Sequence, residues 1–501
     1  MITKYLILIL YFLVLLLIGL VSTRKIKDIK DYYVGGKKLG FWVVAFSTRA
    51  TGESAWLLLG LTGLGAMVGI SGLWVMVGEV IGVSVAWWLM AKPFKKLTDQ
   101  YNSITIPDYL VSRFQSTSNT LRIIASFALS VFVIIYVSAQ IDATGSAFEA
   151  FLDWNYYQGA LVGFGVVVVY IFFGGFLAVA WSDFFQGSLM FLGLVLLPPI
   201  AFFLIDSGPG FYEGVAAIDP AMWNIWGEGG FTLMNAATIL GFLAIGLGFM
   251  GSPQIFVRFM SIKDEGEINK GRWVAITFTL LTDTAAIFIG ILGRYLFTEA
   301  GSDPESVLGN NGQNVLIMLV ENLFPLIIVS VYVAVVLAAI MSTIDSLLVV
   351  ASSAIVRDFY QQIMRPDLSI EKLTSTSRWV TLVMAVFALG IAMVVAVTTP
   401  GRTIFWFVIF GWSGIAAAFC PAMILSLFWR NYTEAGAITS IVTGFAGVPI
   451  FKFLVPALPV VGPYFGEIAE LLPSFILAIL AGILVSKLKP NPELSQRIKL
   501  R

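Results

Sequence analysis

Apolar residues run along this chain in blocks long enough to cross a bilayer as helices, which takes about 20 residues each, with short polar intervals between them. The blocks fall at about 2–23, 39–69, 72–91, 122–149, 157–181, 184–205, 234–257, 273–297, 325–356, 376–398, 403–428, 434–453 and 468–486. They predict an all-α polytopic membrane protein of about 13 transmembrane helices. Ile2 to Thr23 is too long for a signal-peptide core and has no small-residue cleavage site, so it reads as a spanning helix. Ile106 to Phe114 is too short to span and reads as a short amphipathic piece on the membrane surface. The loops at 206–233 and 357–375 have room for short helices only, and fourteen residues follow Lys487. A single membrane domain over 1–501, with no soluble module, is expected.

One block breaks the pattern at its centre. Ala45 to Gly60 gathers Ser47, Thr48, Arg49, Thr51, Gly52, Glu53 and Ser54 at membrane depth, where polar groups need partners. This predicts a broken helix, unwound around Ala50 to Ser54. The freed carbonyls can bind a cation, and a helix N-terminus can face an anionic group. Leu240 to Phe259 is interrupted too, by Gly241, Gly246, Gly248, Gly251 and the pair Ser252-Pro253. It is the seventh span and the first interruption is the second. That offset of five is what an inverted five-plus-five repeat produces.

Composition removes other classes. The chain is 58% hydrophobic and 12% charged, outside the range of soluble domains. The net charge is zero, which argues against a nucleic-acid partner, and no obligate protein partner is evident. It has no histidine, so imidazole relays, imidazole metal ligands and Ser-His chemistry are excluded. The lone Cys420 excludes a disulfide and a cysteine metal cluster. No enzyme is expected. Most Lys and Arg fall in alternate loops, at 24–38, 92–122, 258–272 and 357–378, and in the tail after 487. This asymmetry predicts a multi-pass protein of the cell inner (plasma) membrane, its N-terminus outside and its C-terminus cytoplasmic.

Leu337 to Ser353 carries the adjacent hydroxyls Ser342 and Thr343, with Asp345 and Ser346 on the face of Ser342. Oxygen ligands without His or Cys suit a small hard cation; back-bonding to the helix is the alternative. Asp183, within Gly174 to Gly187, is either a further ligand or a surface carboxylate.

The chain resembles the sodium/solute symporter family, and within it the sodium/proline symporters. The resemblance rests on DYYVGGKKLG at 31–40, SAWLLLG at 54–60, IPDYLVSRF at 106–114, GGFLAVAWSDFFQGSLM at 174–190, SPQIFVRFM at 252–260 and LAAIMST at 337–343. It implies a leucine-transporter-like inverted-repeat fold. The first repeat would lie at 39–206 and the second at 234–428, after an N-terminal helix and basic loop at 1–38 and before two helices and a tail at 429–501. It also implies inward symport of sodium with a small solute. Carried over by position, sodium would be held by carbonyls of Ala50, Glu53 and Ala339 and hydroxyls of Ser342 and Thr343. A second sodium would lie at Asp183, Ser342, Asp345 and Ser346. Substrate would lie against Thr51, Gly52, Ser54, Ala55, Trp56, Tyr136, Gln140, Ile245 and Phe249.

The chain departs from the proline pattern at Gly52, where an aspartate is usual, and at Glu53, where a nonpolar residue is. Ile245 and Phe249 stand where tryptophan and tyrosine are common. Arg49 precedes Glu53 by one turn, so Glu53 is either a structural ion-pair partner or a carboxylate of the site. Glu79, Asp142 and Asp283 are packing partners or pathway residues. The resulting expectation is a sodium-coupled importer of proline, with another small amino acid or a carboxylate as the alternative substrate. A transporter-like sensor would need a signalling domain.

Overall fold

A computed structural model describes residues 2–205, 210–365 and 369–493. Asp206, three residues of the 357–375 loop and the tail after Glu493 lie outside them. The helices that position the site are α1 (Ile2–Thr23), α2 (Phe41–Ala55), α3 (Leu73–Val85), α4 (Ile106–Phe114), α5 (Thr120–Leu152) and α6 (Tyr156–Leu204). They continue as α7 (Leu233–Ala244), α8 (Pro253–Ser261), α9 (Glu265–Phe297), α10 (Leu326–Ser353), α11 (Ile370–Thr398), α12 (Ile404–Phe428), α13 (Glu434–Pro449) and α14 (Leu471–Leu488).

Eleven helical stretches among the described residues are long and apolar enough to cross a membrane, where the sequence blocks predict about thirteen. The difference has two sources. Phe41–Gln100 is one helical path of 60 residues that turns at Gly69 (φ 61°). At 1.5 Å per residue it is about 90 Å long, enough for two crossings of a core of about 30 Å. Tyr156–Val169 is an apolar helix too short to be counted.

Burial sorts the helices. The most apolar stretches of the α10 and α12 regions are 83% and 89% buried, against 28% in α1. On α1, Leu6, Leu10, Leu13, Leu17 and Leu20 face outward at helical spacing while Leu8, Tyr11 and Leu15 pack inward. At the centre, α10 packs on α2, α5 and α6, and α9 packs on α2 and α3. Such an arrangement leaves polar residues of α2 and α10 facing each other, away from lipid.

Both predicted interruptions are present. In α2 the break is confined to Ser54 (φ 42°, ψ −164°), narrower than the unwinding expected from Ala50, and a π-type turn follows at Trp56–Leu61. In the second, α7 gives way to a 3-10 turn over Ile245–Met250 and to Gly251 (φ 154°) before Pro253 opens α8. That turn lies backbone-to-backbone against α3: a Cβ on Gly82 would fall 1.9 Å from the Gly246 carbonyl oxygen. The start of α2 and the end of α8 are tied by main-chain bonds, Leu39 N–H to Ser261 O (3.0 Å) and Lys263 N–H to Leu39 O (2.9 Å).

Two expectations are corrected. The division predicted between 181 and 184 lies at Gly175 (φ 52°), where a Cβ would meet the Tyr32 ring at 2.7 Å. Asp183 is therefore well inside a helix and fully buried, not a surface carboxylate. Helix α4 is packed into the protein, with Tyr109, Leu110, Arg113 and Phe114 buried and Arg113 Nε donating to Ser426 O at 2.8 Å.

Candidate functional site

The Ser54 break frees polar groups that neighbours then take up. Gln140 of α5 accepts from Ala55 N–H (3.1 Å) and donates to Ser54 Oγ (3.3 Å), which also receives the Tyr136 hydroxyl at 3.3 Å. The Trp56 indole donates to Gly52 O at 3.0 Å. A non-glycine residue in this backbone region costs about 1–3 kcal/mol and persists only where surroundings hold it; these bonds do so.

Just before the break, α2 meets α10. Ser342 Oγ donates to Ala50 O (3.0 Å) and lies 3.1 Å from Ala339 O. Thr343 Oγ1 donates to Thr51 O (3.2 Å) and lies 3.3 Å from Ala339 O. Four of the five predicted sodium-site residues are thus together in a buried oxygen cage. The Glu53 carbonyl, the fifth, accepts the Trp56 N–H, and the Thr51 carbonyl also borders the cage through Thr343. Oxygens of this kind, without soft ligands, suit a hard monovalent cation.

Asp183, Asp345 and Ser346 also come together, around a guanidinium that the sequence reading missed. Arg258 of α8 donates to Asp183 Oδ2 (2.7 Å), to Ser346 Oγ (2.5 Å) and to Ser47 Oγ (2.7 Å). Ser346 lies 3.2 Å from Asp345 Oδ1. The Thr51 hydroxyl bonds Ser346 at 2.9 Å, which places it beside the Asp183 cluster. In this conformation the positive charge beside Asp183 is tethered.

Of the remaining predicted substrate residues, Gly52, Tyr136, Ile245 and Phe249 border an aromatic region around Trp412. Phe249 and Trp412 are 4.9 Å apart, Tyr136 and Trp412 6.4 Å, and Trp412 Nε1 donates to Ile245 O at 3.0 Å. Gly52 has a local reason: a Cβ there would lie 2.6 Å from Phe249 Cε1. Phe249 in turn stacks on Arg49, whose Cζ is 4.4 Å from the ring centre. Arg49 is paired with Glu53, and with Glu79 at 2.9 Å. Asp142 lies apart from this site, bound to Arg402 Nε (2.9 Å) and to the Tyr156 hydroxyl (2.5 Å).

Sequence reading missed Arg258, Trp412 and Gln254. Arg258 stands inside the SPQIFVRFM motif, but at the end of a span it was counted with the loop charges. Trp412 sits in a helix so apolar that nothing marks its inward face. Gln254 is fully buried with both amide atoms unpartnered on α8, which packs against α2; a polar residue two positions after Ser252 in an interrupted span was its only signal.

Two helices broken at membrane depth, one opposed to a hydroxyl-bearing helix across an oxygen cage, define a secondary transporter. The chain belongs to the sodium:solute symporter family, whose model matches residues 32–444. It is 35% identical over 487 residues to the osmoregulated proline transporter OpuE of Bacillus subtilis, covering 96% of this chain and 94% of that protein. It is likewise 35% identical over 476 residues to the high-affinity proline transporter PutP of Bacillus subtilis, covering 93% and 96%. Among solved structures, a Na+-coupled sialic acid symporter in a substrate-bound outward-open state superposes with a TM-score of 0.78 at 18% identity, over 97% of each chain. MhsT in complex with L-phenylalanine superposes at 0.52 and 14% identity, over 89% of this chain and 98% of that one. The fold is leucine-transporter-like, as expected. The protein is a multi-pass membrane transporter, not an enzyme, and its family implies sodium co-transport.

Proposed function

We propose that this protein imports proline together with sodium by alternating access, N-terminus outside and C-terminus in the cytoplasm. The observation that carries the reading is the oxygen cage of Ala50, Thr51, Ala339, Ser342 and Thr343 beside the Ser54 break. Sodium in that cage would draw α2 and α10 together and fix the half-helix that bears the substrate wall. Two curated relatives matched over nearly their whole length are proline transporters, which supports the choice of solute. The pyrrolidine ring would pack among Trp56, Tyr136, Phe249 and Trp412. The positive end of the half-helix after the break would attract the carboxylate. One charge entering across 100 mV contributes about 2.3 kcal/mol to accumulation, beyond the sodium gradient itself.

The test is uptake of labelled proline into proteoliposomes. An inward sodium gradient is expected to drive accumulation, a potassium gradient is not, and excess unlabelled proline should compete. Sodium-independent uptake would refute the coupling, and competition by other solutes but not by proline would refute the substrate.

A further inference from the structure

Beyond the cage and the Asp183 cluster, one group of buried charges has no role in the transport reading. Arg49 and Glu53 of α2, Glu79 of α3 and Asp283 of α9 meet where these helices pack, each at most 1% exposed. One carboxylate oxygen from each of Glu53, Glu79 and Asp283 lies within 4.8 Å of those of the other two. Arg49 pairs with Glu53 and Glu79. Among the described residues, Asp283 receives only the hydroxyl of its neighbour Thr282, at 3.3 Å. Three carboxylates therefore gather at one guanidinium, which is ion-paired to two of them and stacked against the uncharged Phe249.

Glu53 Oε2, Glu79 Oε1 and Asp283 Oδ2 are buried and accept no hydrogen bond. Sealing an unpaired carboxylate oxygen from water is among the costliest things a fold can do. Three oxygens within 4.8 Å of one another lie no more than about 2.8 Å from a common point, so small side-chain shifts bring all three to the 2.3–2.6 Å bond length of a hard cation with oxygen ligands. The absence of nitrogen and sulfur ligands in the set disfavours transition metals.

We propose that Glu53, Glu79 and Asp283 form a further sodium site, built from α2, α3 and α9 and separate from the cage between α2 and α10. Arg49 balances one carboxylate and the ion a second. Both sites draw on α2 just ahead of the Ser54 break. An ion at the acidic site would hold the half-helix whose Ala50 and Thr51 carbonyls face Ser342 and Thr343, so each ion would favour the other.

Equilibrium binding of 22Na+ to the purified full-length protein, without proline, tests this independently of transport. Asp283→Asn removes one excess negative charge, so it is expected to fold; Glu79→Gln is the second variant should it not. Each is expected to bind one sodium fewer per chain than wild type, or to bind it more than about tenfold more weakly. The rise in melting temperature with sodium should shrink in parallel. Equal ion numbers and affinities in wild type and the folded variants would overturn the site. Failure of proline uptake would leave this count standing, so the two readings fail separately.

Discussion

Ser342 and Thr343 each reach across from α10 to a carbonyl of α2, at 3.0 and 3.2 Å. Loss of either hydroxyl removes a neutral hydrogen bond worth about 1 kcal/mol, too little to unfold the protein. The same loss takes an oxygen from the cage. Ser342→Ala and Thr343→Ala are therefore expected to express well, yet to raise half-saturating sodium for proline uptake by about tenfold, or ~1.4 kcal/mol. Uptake measured against sodium concentration decides it; unchanged half-saturation with normal maximal rate would remove these residues from the site. Glu53 is of a different kind. It pairs with Arg49, which is shared with Glu79, so the two alternatives posed by the sequence, an ion-pair partner or a carboxylate of the site, do not exclude each other.

At the scale of elements, the second broken helix keeps its place by backbone contact with α3. The two backbones approach so closely that a Cβ on Gly82 would meet the Gly246 carbonyl, and one on Gly246 the Gly78 carbonyl, each at 1.9 Å. Gly82→Val must push the Ile245–Met250 turn away and displace Phe249 with it. A cost of about 1–3 kcal/mol is expected from such overpacking, read as a lower melting temperature together with weaker proline binding. Gly390 on α11 is the contrast, since a Cβ there meets nothing within 4 Å. Gly390→Ala should hold or raise the melting temperature, by up to about 1 kcal/mol of helix propensity. Equal losses in both variants would show that close packing is not what Gly82 serves.

Across the whole molecule, the cage and the aromatic region share α2, and the Ser54 break lies between them. A ligand at either place selects the same arrangement of α2 against α5 and α10, so coupling must be reciprocal. Saturating proline is expected to tighten sodium binding by the same factor as saturating sodium tightens proline binding, about 5–150-fold. Equilibrium binding of each ligand, with and without the other, measures both factors. A factor of one in both directions, with both ligands bound, would separate the two sites.

Much of this was legible in the order of residues, because the signals are local. Apolar blocks set the spans, and the charge asymmetry between loops sets the expected orientation. The polar run ending at Ser54 and the Gly-rich, Ser-Pro run near Gly251 marked both breaks, since backbone at membrane depth can leave the helix only where special residues and partners allow it. Adjacent hydroxyls at Ser342 and Thr343 marked the cage. Tertiary structure alone decided which charges meet. Arg258 reaches Asp183 across 75 residues, and Gln140 holds Ala55 across 85. Glu79 and Asp283, for which the sequence gives no partner, join Glu53 because α3 and α9 both pack on that side of the bundle. Helical periodicity places a residue on a face of its own helix; which other face it meets is set by how helices pack, and through-space electrostatics depends on the resulting distance and burial.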